Sequence, residues 1–304
     1  MDWNDVRYFL ALARLGSVRA AGEALGVSHS TVARRVEALE AQLAARLFDR
    51  SRDGYTLTAA GHSMMPCAER VEGELAALER ELAGKDERLA GTVRLTCCDE
   101  FVSDILLREL TAFCGTFPRI ELGMTTDSRS YDLSKGEADI AIRTLQVSAE
   151  PPEHLIGRKL TEIYVANYVA TAHTDRRDPE VEGSHPRWLA FETRKYMEQM
   201  IAAGSYPTVP PWGSFSSIAL LMQGAREGLG IAILPCYAAD REPSLRRLRK
   251  PDLLHVANLW LVSHPDLRDN ARFRAARDCV AQAIASQASL FRGEQPVSVG
   301  QPAD

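Results

Sequence analysis

Residues 20–40 constrain the fold of this chain more than any other stretch. Ala20, Ala21 and Ala24 are small, so a helix carrying them lets another helix approach closely. Gly26 then supplies a tight turn, and Ser28 stands where a helix N-cap is expected. Beyond it, Val32, Val36, Leu39, Leu43 and Leu47 fall within one narrow arc at helical spacing. Ser30, Thr31 and Arg34 lie away from that arc, with Arg35 on its flank. A helix ahead of this pair shows Val6, Phe9, Leu10 and Ala13 on one face and ends at Leu15-Gly16. Ser17 is placed to cap the second helix, roughly Val18 to Leu25, which also carries Arg19.

This pattern predicts a helix-turn-helix unit whose third helix buries one side and presents hydroxyls and guanidiniums on the other. A recognition helix needs that layout, because its first turns reach base edges in a major groove. The candidate DNA-contacting residues are Ser17, Arg19, Ser28, His29, Ser30, Thr31, Arg34 and Arg35. Asp53-Gly54 between two short strand-like runs signals a hairpin, a wing on which Arg50 and Arg52 face the same way toward phosphates. The residues alone also allow a protein-interaction module with a solvated arginine surface.

The run Ala20-Ala21-Gly22-Glu23-Ala24-Leu25-Gly26-Val27-Ser28-His29-Ser30-Thr31-Val32-Ala33-Arg34-Arg35-Val36-Glu37-Ala38-Leu39-Glu40 resembles the helix-turn-helix of LysR-type transcriptional regulators. Arg46-Leu47-Phe48-Asp49-Arg50 and Leu57-Thr58-Ala59-Ala60-Gly61 are similar to the wing and to the start of the linker helix in that family. The resemblance covers essentially the whole chain. It implies a homodimer or homotetramer that binds double-stranded promoter DNA, takes a small-molecule effector and acts on RNA polymerase; the cysteine usage separately fits a reducing cytoplasm. Two positions depart from the pattern. Ala33 stands where the family often has serine, and Ala44 where it usually has glycine, which is acceptable if the turn there stays helical.

Thr58 is placed to cap a helix running to about Arg88; roughly 30 residues give about 45 Å. Leu75, Leu78, Leu82 and Leu89 follow coiled-coil-like spacing, with Val71 one step ahead and Lys85 interrupting. Such a stripe needs a partner: a second copy, as the resemblance also implies, or the chain's own C-terminal domain. Pro66 should kink this helix or mark a second start.

From Gly91 onward strand-like and helix-like runs alternate, which implies parallel sheets with crossover helices. Strands are expected at Val93–Thr96, Ile120–Thr125, Tyr164–Thr171, Trp188–Phe191, Gly230–Pro235 and Leu259–Val262, with helices at Ile105–Phe113, Ser217–Glu227 and Asn270–Ser286. Asp132–Arg143 reads as a helix running into a buried strand. The resemblance implies an effector domain built like a periplasmic binding protein, with two lobes meeting at a cleft crossed twice by the chain. The expected fold is thus α/β with an all-α winged helix-turn-helix at 1–58, a linker and dimerisation helix at 59–90, and an effector domain at 91–304. Lobe I takes about 91–160 and 266–304, lobe II about 161–265. Open α/β sheets bind ligands beyond the C-terminal ends of their strands. Those ends carry Thr96, Cys97, Cys98, Thr126, Arg143 and Thr144 in lobe I, and Phe215, Ser216 and Ser217 open a helix in lobe II that suits an anionic group.

The net charge of -5 excludes a uniformly basic nucleic-acid coat and leaves a local basic face to do any DNA binding. No run of about eighteen apolar residues suggests a membrane span, and the N-terminus lacks a signal-peptide pattern. The six cysteines match neither a zinc site nor a disulfide framework, and neither metal nor cofactor is expected. Adjacent Cys97 and Cys98 leave open a redox- or metal-sensing regulator of the same fold, although a buried structural role fits better. No nucleophile elbow, Walker loop or H-E-x-x-H motif supports an enzyme. The expected mechanism is lobe closure on the effector, a shifted oligomer interface, and altered promoter bending and polymerase recruitment.

Overall fold

A computed structural model describes residues 2–51, 54–84, 88–126, 138–191 and 194–294. The chain forms two compact units, the first ending at Leu82 and the second beginning at Ala83.

The first unit holds α1 (Trp3–Leu15), α2 (Val18–Leu25), α3 (His29–Leu43), the hairpin β1 (Phe48–Ser51) and β2 (Gly54–Leu57), and α4 (Ala59–Gly84). Its core gathers the apolar faces read from the spacing: Val6, Phe9, Leu10, Ala21, Val32, Val36 and Leu39, closed by Leu47 and Phe48. Gly22 is required where α2 meets the turn before α3, because a Cβ there would sit 2.8 Å from the Val27 carbonyl oxygen. Ser28 caps α3 by accepting the Thr31 N–H at 3.2 Å. Ser17 occupies the corresponding position before α2, but its side chain makes no capping bond.

The third helix stops earlier than its apolar arc. Ala44 adopts φ 50, ψ 34, the left-handed region, so the condition under which alanine would sit there without strain, a helical turn, is not met. The chain must reverse at that point to feed β1. Leu43 is left half-exposed, while Leu47 reaches the core from beyond the helix. Ser51 pairs with Gly54 in the hairpin; Arg52 and Asp53, between them, lie outside the described residues. The Tyr55 N–H donates to the Gly16 carbonyl at 2.8 Å and docks the hairpin on the end of α1. Thr58 caps α4, accepting the Gly61 N–H at 3.1 Å and donating to the Arg46 carbonyl at 2.7 Å. The helix passes through Pro66 as one element, with no second start. It is described as far as Gly84, and Lys85 lies outside the described residues.

The second unit contains β3 (Gly91–Cys97), α5 (Glu100–Thr116), β4 (Ile120–Thr126), β5 (Ile140–Gln146), β6 (Ile156–Ala170), α6 (Thr174–Arg177), β7 (Trp188–Phe191), α7 (Arg194–Ala203), β8 (Pro211–Phe215), α8 (Ile218–Arg226), β9 (Ile231–Pro235), α9 (Cys236–Ala239), β10 (Leu245–Arg247), β11 (Leu254–Ser263), α10 (Ala271–Ser286) and α11 (Ala288–Phe291). The segment Asp132–Glu137, read as a helix, lies outside the described residues. The main sheet runs β4-β3-β5-β11-β6-β9-β7-β8, with β10 paired to β6. Parallel pairing holds at its two ends, β4-β3-β5 and β9-β7-β8, as the alternation implied. In the middle β11 and β6 run antiparallel to each other and to their neighbours, so the sheet is mixed. β6 and β11 are long because they serve both ends of the sheet. After α10 the chain returns: α11 packs on α9 and β6, and Phe291 stacks on Tyr237 at 4.7 Å.

Candidate functional site

In the first unit the outward face of α3 is open. Ser28, His29, Ser30, Arg34 and Arg35 are exposed and Thr31 is half-buried, while Val32 and Val36 lock the opposite face into the core. The Ser28 hydroxyl lies 2.9 Å from that of Ser30 and 2.8 Å from that of Thr31. These short polar side chains are therefore pre-ordered around the first turn. The N–H groups of that turn and the helix dipole favour an anion there.

The arginines are not equivalent. Arg34 forms no ion pair among the described residues. Arg35 instead donates to the largely buried carboxylate of Asp5 at 3.3 Å, which anchors α3 to the start of α1. Arg19 pairs with Glu23 at 3.2 Å along its own helix, both side chains in solvent. On the wing, Arg50 donates to Glu37 of α3 at 2.6 Å and lies 5.4 Å over the Tyr55 ring. The hydrogen bond to Glu37 raises the Arg50 pKa further above its ordinary value. Arg52 cannot be placed beside it, since it lies outside the described residues.

Two acidic residues missed by the sequence reading shape this face. Glu40 accepts the N–H groups of Leu47 at 2.7 Å and Phe48 at 3.1 Å, fixing where the wing leaves the helix. Glu37 holds Arg50 across the gap between helix and wing. Glu37 follows Arg34 by three residues and shares its face, while Glu40 lies six on; neither hairpin partner is legible before the turn at Ala44 is known.

In the second unit the strand ends read as ligand-facing divide by burial. Thr96 is fully buried, and its hydroxyl and carbonyl accept bonds from Arg143 at 3.0 and 3.1 Å. Cys97 is buried in the main core, and burial pushes its thiol up to about 12. Cys98 is half-buried, and desolvation moves its pKa strongly upward. Thr126, the strand partner of Cys97, and Thr144 are exposed. At the other end of the sheet Phe215 leans on Gly224 of α8, and Ser217 caps that helix by accepting the Leu220 N–H at 3.2 Å. Ser216 is exposed. Thr126, Thr144 and Ser216 are thus the ones open to solvent, with the Thr126 hydroxyl 3.1 Å from that of Ser103 and Thr144 hydrogen-bonded to Cys98.

Asp99 was not singled out by the sequence reading, although it sits where the chain leaves β3. Its carboxylate caps α5, accepting the Val102 N–H at 2.8 Å, and accepts the Tyr237 hydroxyl at 2.7 Å from the far end of the sheet. Arg241 reaches Asp104 of α5 at 2.9 Å beside it. The capping role is visible locally, but the tyrosine 138 residues away is not. Among the described residues no group of side chains fits a metal ion, and no helix is long and apolar enough to cross a membrane.

With this geometry in place, family comparisons decide the assignment. Residues 3–62 match the bacterial regulatory helix-turn-helix of the lysR family, and residues 86–285 match the LysR substrate binding domain. The chain belongs to the LysR family of transcriptional regulators. An HTH-type transcriptional regulator of Xanthomonas campestris is 31% identical over 190 residues, 62% of this chain and 54% of that protein, so the match spans about half of that relative. The regulator CrgA of Neisseria meningitidis is 25% identical over 292 residues, covering 92% of this chain and 96% of CrgA. Among solved structures, full-length AphB, a virulence activator of Vibrio cholerae, aligns with TM-score 0.63 at 19% identity, covering 93% of this chain and 99% of that one. These likenesses fit the fold derived above: a LysR-type head followed by a mixed α/β domain.

Proposed function

We propose that this LysR-family regulator binds double-stranded promoter DNA through paired heads and answers to a small anionic effector held between the two ends of its second unit. The observation that carries the DNA reading is the outward face of α3. His29, Ser30 and Arg34 stand exposed on a helix whose opposite side is locked into the head. That face enters the major groove, with Arg34 as the base reader and the wing along the phosphates.

The test is a gel-shift and footprint series on a duplex selected from a random library with the wild-type chain. Arg34→Ala is expected to cost about 1–3 kcal/mol and to relax preference at one or two base positions. Uniform weakening on every sequence would instead make Arg34 a phosphate contact.

For the effector, Thr126, Thr144 and Ser216, with the N-terminus of α8, suit a small carboxylate. A calorimetric titration against short carboxylic acids checks this, with Thr144→Val expected to weaken the best of them at least several-fold. The burial that raises the Cys97 and Cys98 thiols speaks against thiol sensing.

A further inference from the structure

The contact between Glu37 and Arg50 has no role in the core. Both side chains are about half exposed, at 54% and 52%, and neither the hairpin nor α3 needs the pair to stay closed. Glu37 follows Ser30 and Arg34 by seven and three residues, so it continues the outward stripe of the recognition helix. Arg50 is the described cation of the wing on the same side. A carboxylate thus stands on the face offered to a polyanion and already holds the guanidinium that a phosphate would take.

We propose that Glu37 is an internal stand-in for DNA phosphate: it occupies Arg50 in the free head, and DNA binds by displacing it. The inference rests on the DNA reading of the head. Carboxylate and phosphate both accept the planar guanidinium fork, so they compete for one donor set. The Tyr55 ring, 5.4 Å from the guanidinium carbon, holds Arg50 near the wing surface while the acceptor changes. The exchange makes association depend on ionic competition, and it lowers affinity for every sequence alike rather than selecting one.

The experiment uses the full-length chain with two probes, a random-sequence 30-base-pair duplex and a duplex selected from a random library. Glu37→Gln keeps the side-chain shape and removes the charge. It is expected to tighten binding to both duplexes by the same factor, roughly threefold per head. The slope of log K against log salt should shift by less than the 0.9 or so of a whole phosphate contact per head, because Arg50 meets the same phosphate in both chains. In an Arg50→Gln background the gain should vanish, because Glu37 acts through Arg50. The proposal is overturned if Glu37→Gln weakens binding to the selected duplex alone, which would make Glu37 a reader of a cytosine amino group. It is equally overturned if the gain survives without Arg50, which would leave only general repulsion. If the wild-type chain binds neither duplex, the reading of the head itself fails. Unchanged melting of the Glu37→Gln chain confirms that fold is not what moved.

Discussion

Ala44 shows how much one residue can hide from a sequence reading. As an alanine it reads as a helix former, and the apolar arc continuing to Leu47 supports that. The backbone places it at φ 50, where an L side chain is crowded and glycine is not. The family's usual glycine was therefore the better guide at this position than propensity. We predict that Ala44→Gly stabilises the chain by about 0.5–1 kcal/mol, since relief of left-handed strain outweighs the added freedom of the unfolded chain. Urea unfolding followed by circular dichroism reads it, and an unchanged or lower midpoint would refute it. Ser17 and Ser28 teach the converse. Both fit a capping pattern, yet only Ser28 bonds the helix it precedes. Their backbones also differ, with φ -141 at Ser17 and φ -69 at Ser28, which spacing does not encode.

At the scale of elements, the head was legible and the middle of the sheet was not. α1, α2 and the start of α3 follow from apolar spacing, glycine stops and Ser28. β8 escaped because Pro210, Pro211 and Gly213 read as loop, and they are tolerated on the last strand of the sheet. The first half of β6 escaped because Gly157, Arg158 and Lys159 break its apolar pattern. The tie between α5 and α9 is wholly non-local. Asp99 accepts Tyr237, and Tyr168 donates to Asp240 at 2.7 Å, beside the Asp240–Arg247 ion pair. Burial, with Asp99 beside Tyr237 and Cys236 and Asp240 beside Tyr168, raises both phenols above the usual tyrosine range. The sign follows directly. The folded chain keeps protons that the unfolded chain sheds above about pH 10, so this stability is complete below pH 10 and drains as pH rises past it. The expected loss is up to about 1.4 kcal/mol per pH unit for each group. Absorbance at 295 nm should show these two phenols ionising only as the fold is lost, and Tyr237→Phe should remove one tyrosine from the late-ionising set, to which Tyr206, raised by burial and its bond to Glu180, also belongs. The same variant leaves that Asp99 oxygen only the weak Cys98 thiol donor at 3.5 Å, at a cost of about 1–3 kcal/mol.

At the scale of the whole molecule, charge and surface have to be reconciled. A chain of net charge -5 holds DNA through a small face on which Arg35, Arg19 and Arg50 are already engaged by acidic neighbours. One head so equipped neutralises few phosphates, so the proposed binding is expected to use two heads together. The linker helix carries the means. Leu78 is 52% exposed and Val71 39% on the face of α4, and a groove of about 360 Å³ lined by Leu43, Ala45, Met64, Cys67 and Val71 opens alongside. Arg14 holds the helix to the head through Glu72 at 2.6 Å, so a second copy gripping α4 also fixes the head. Two heads held this way meet half-sites about 34–36 Å apart or a multiple of it. We predict that Leu78→Glu, which puts a charge into that stripe without touching the core, converts the assembly to monomers in sedimentation. The slope of log K against log salt should then fall to about half, because each phosphate contact contributes about 0.9 and half of them are lost. If the variant sediments as wild type, another surface holds the copies together. If it is monomeric with an unchanged slope, a single head carries the binding and the arginine count above has been underestimated.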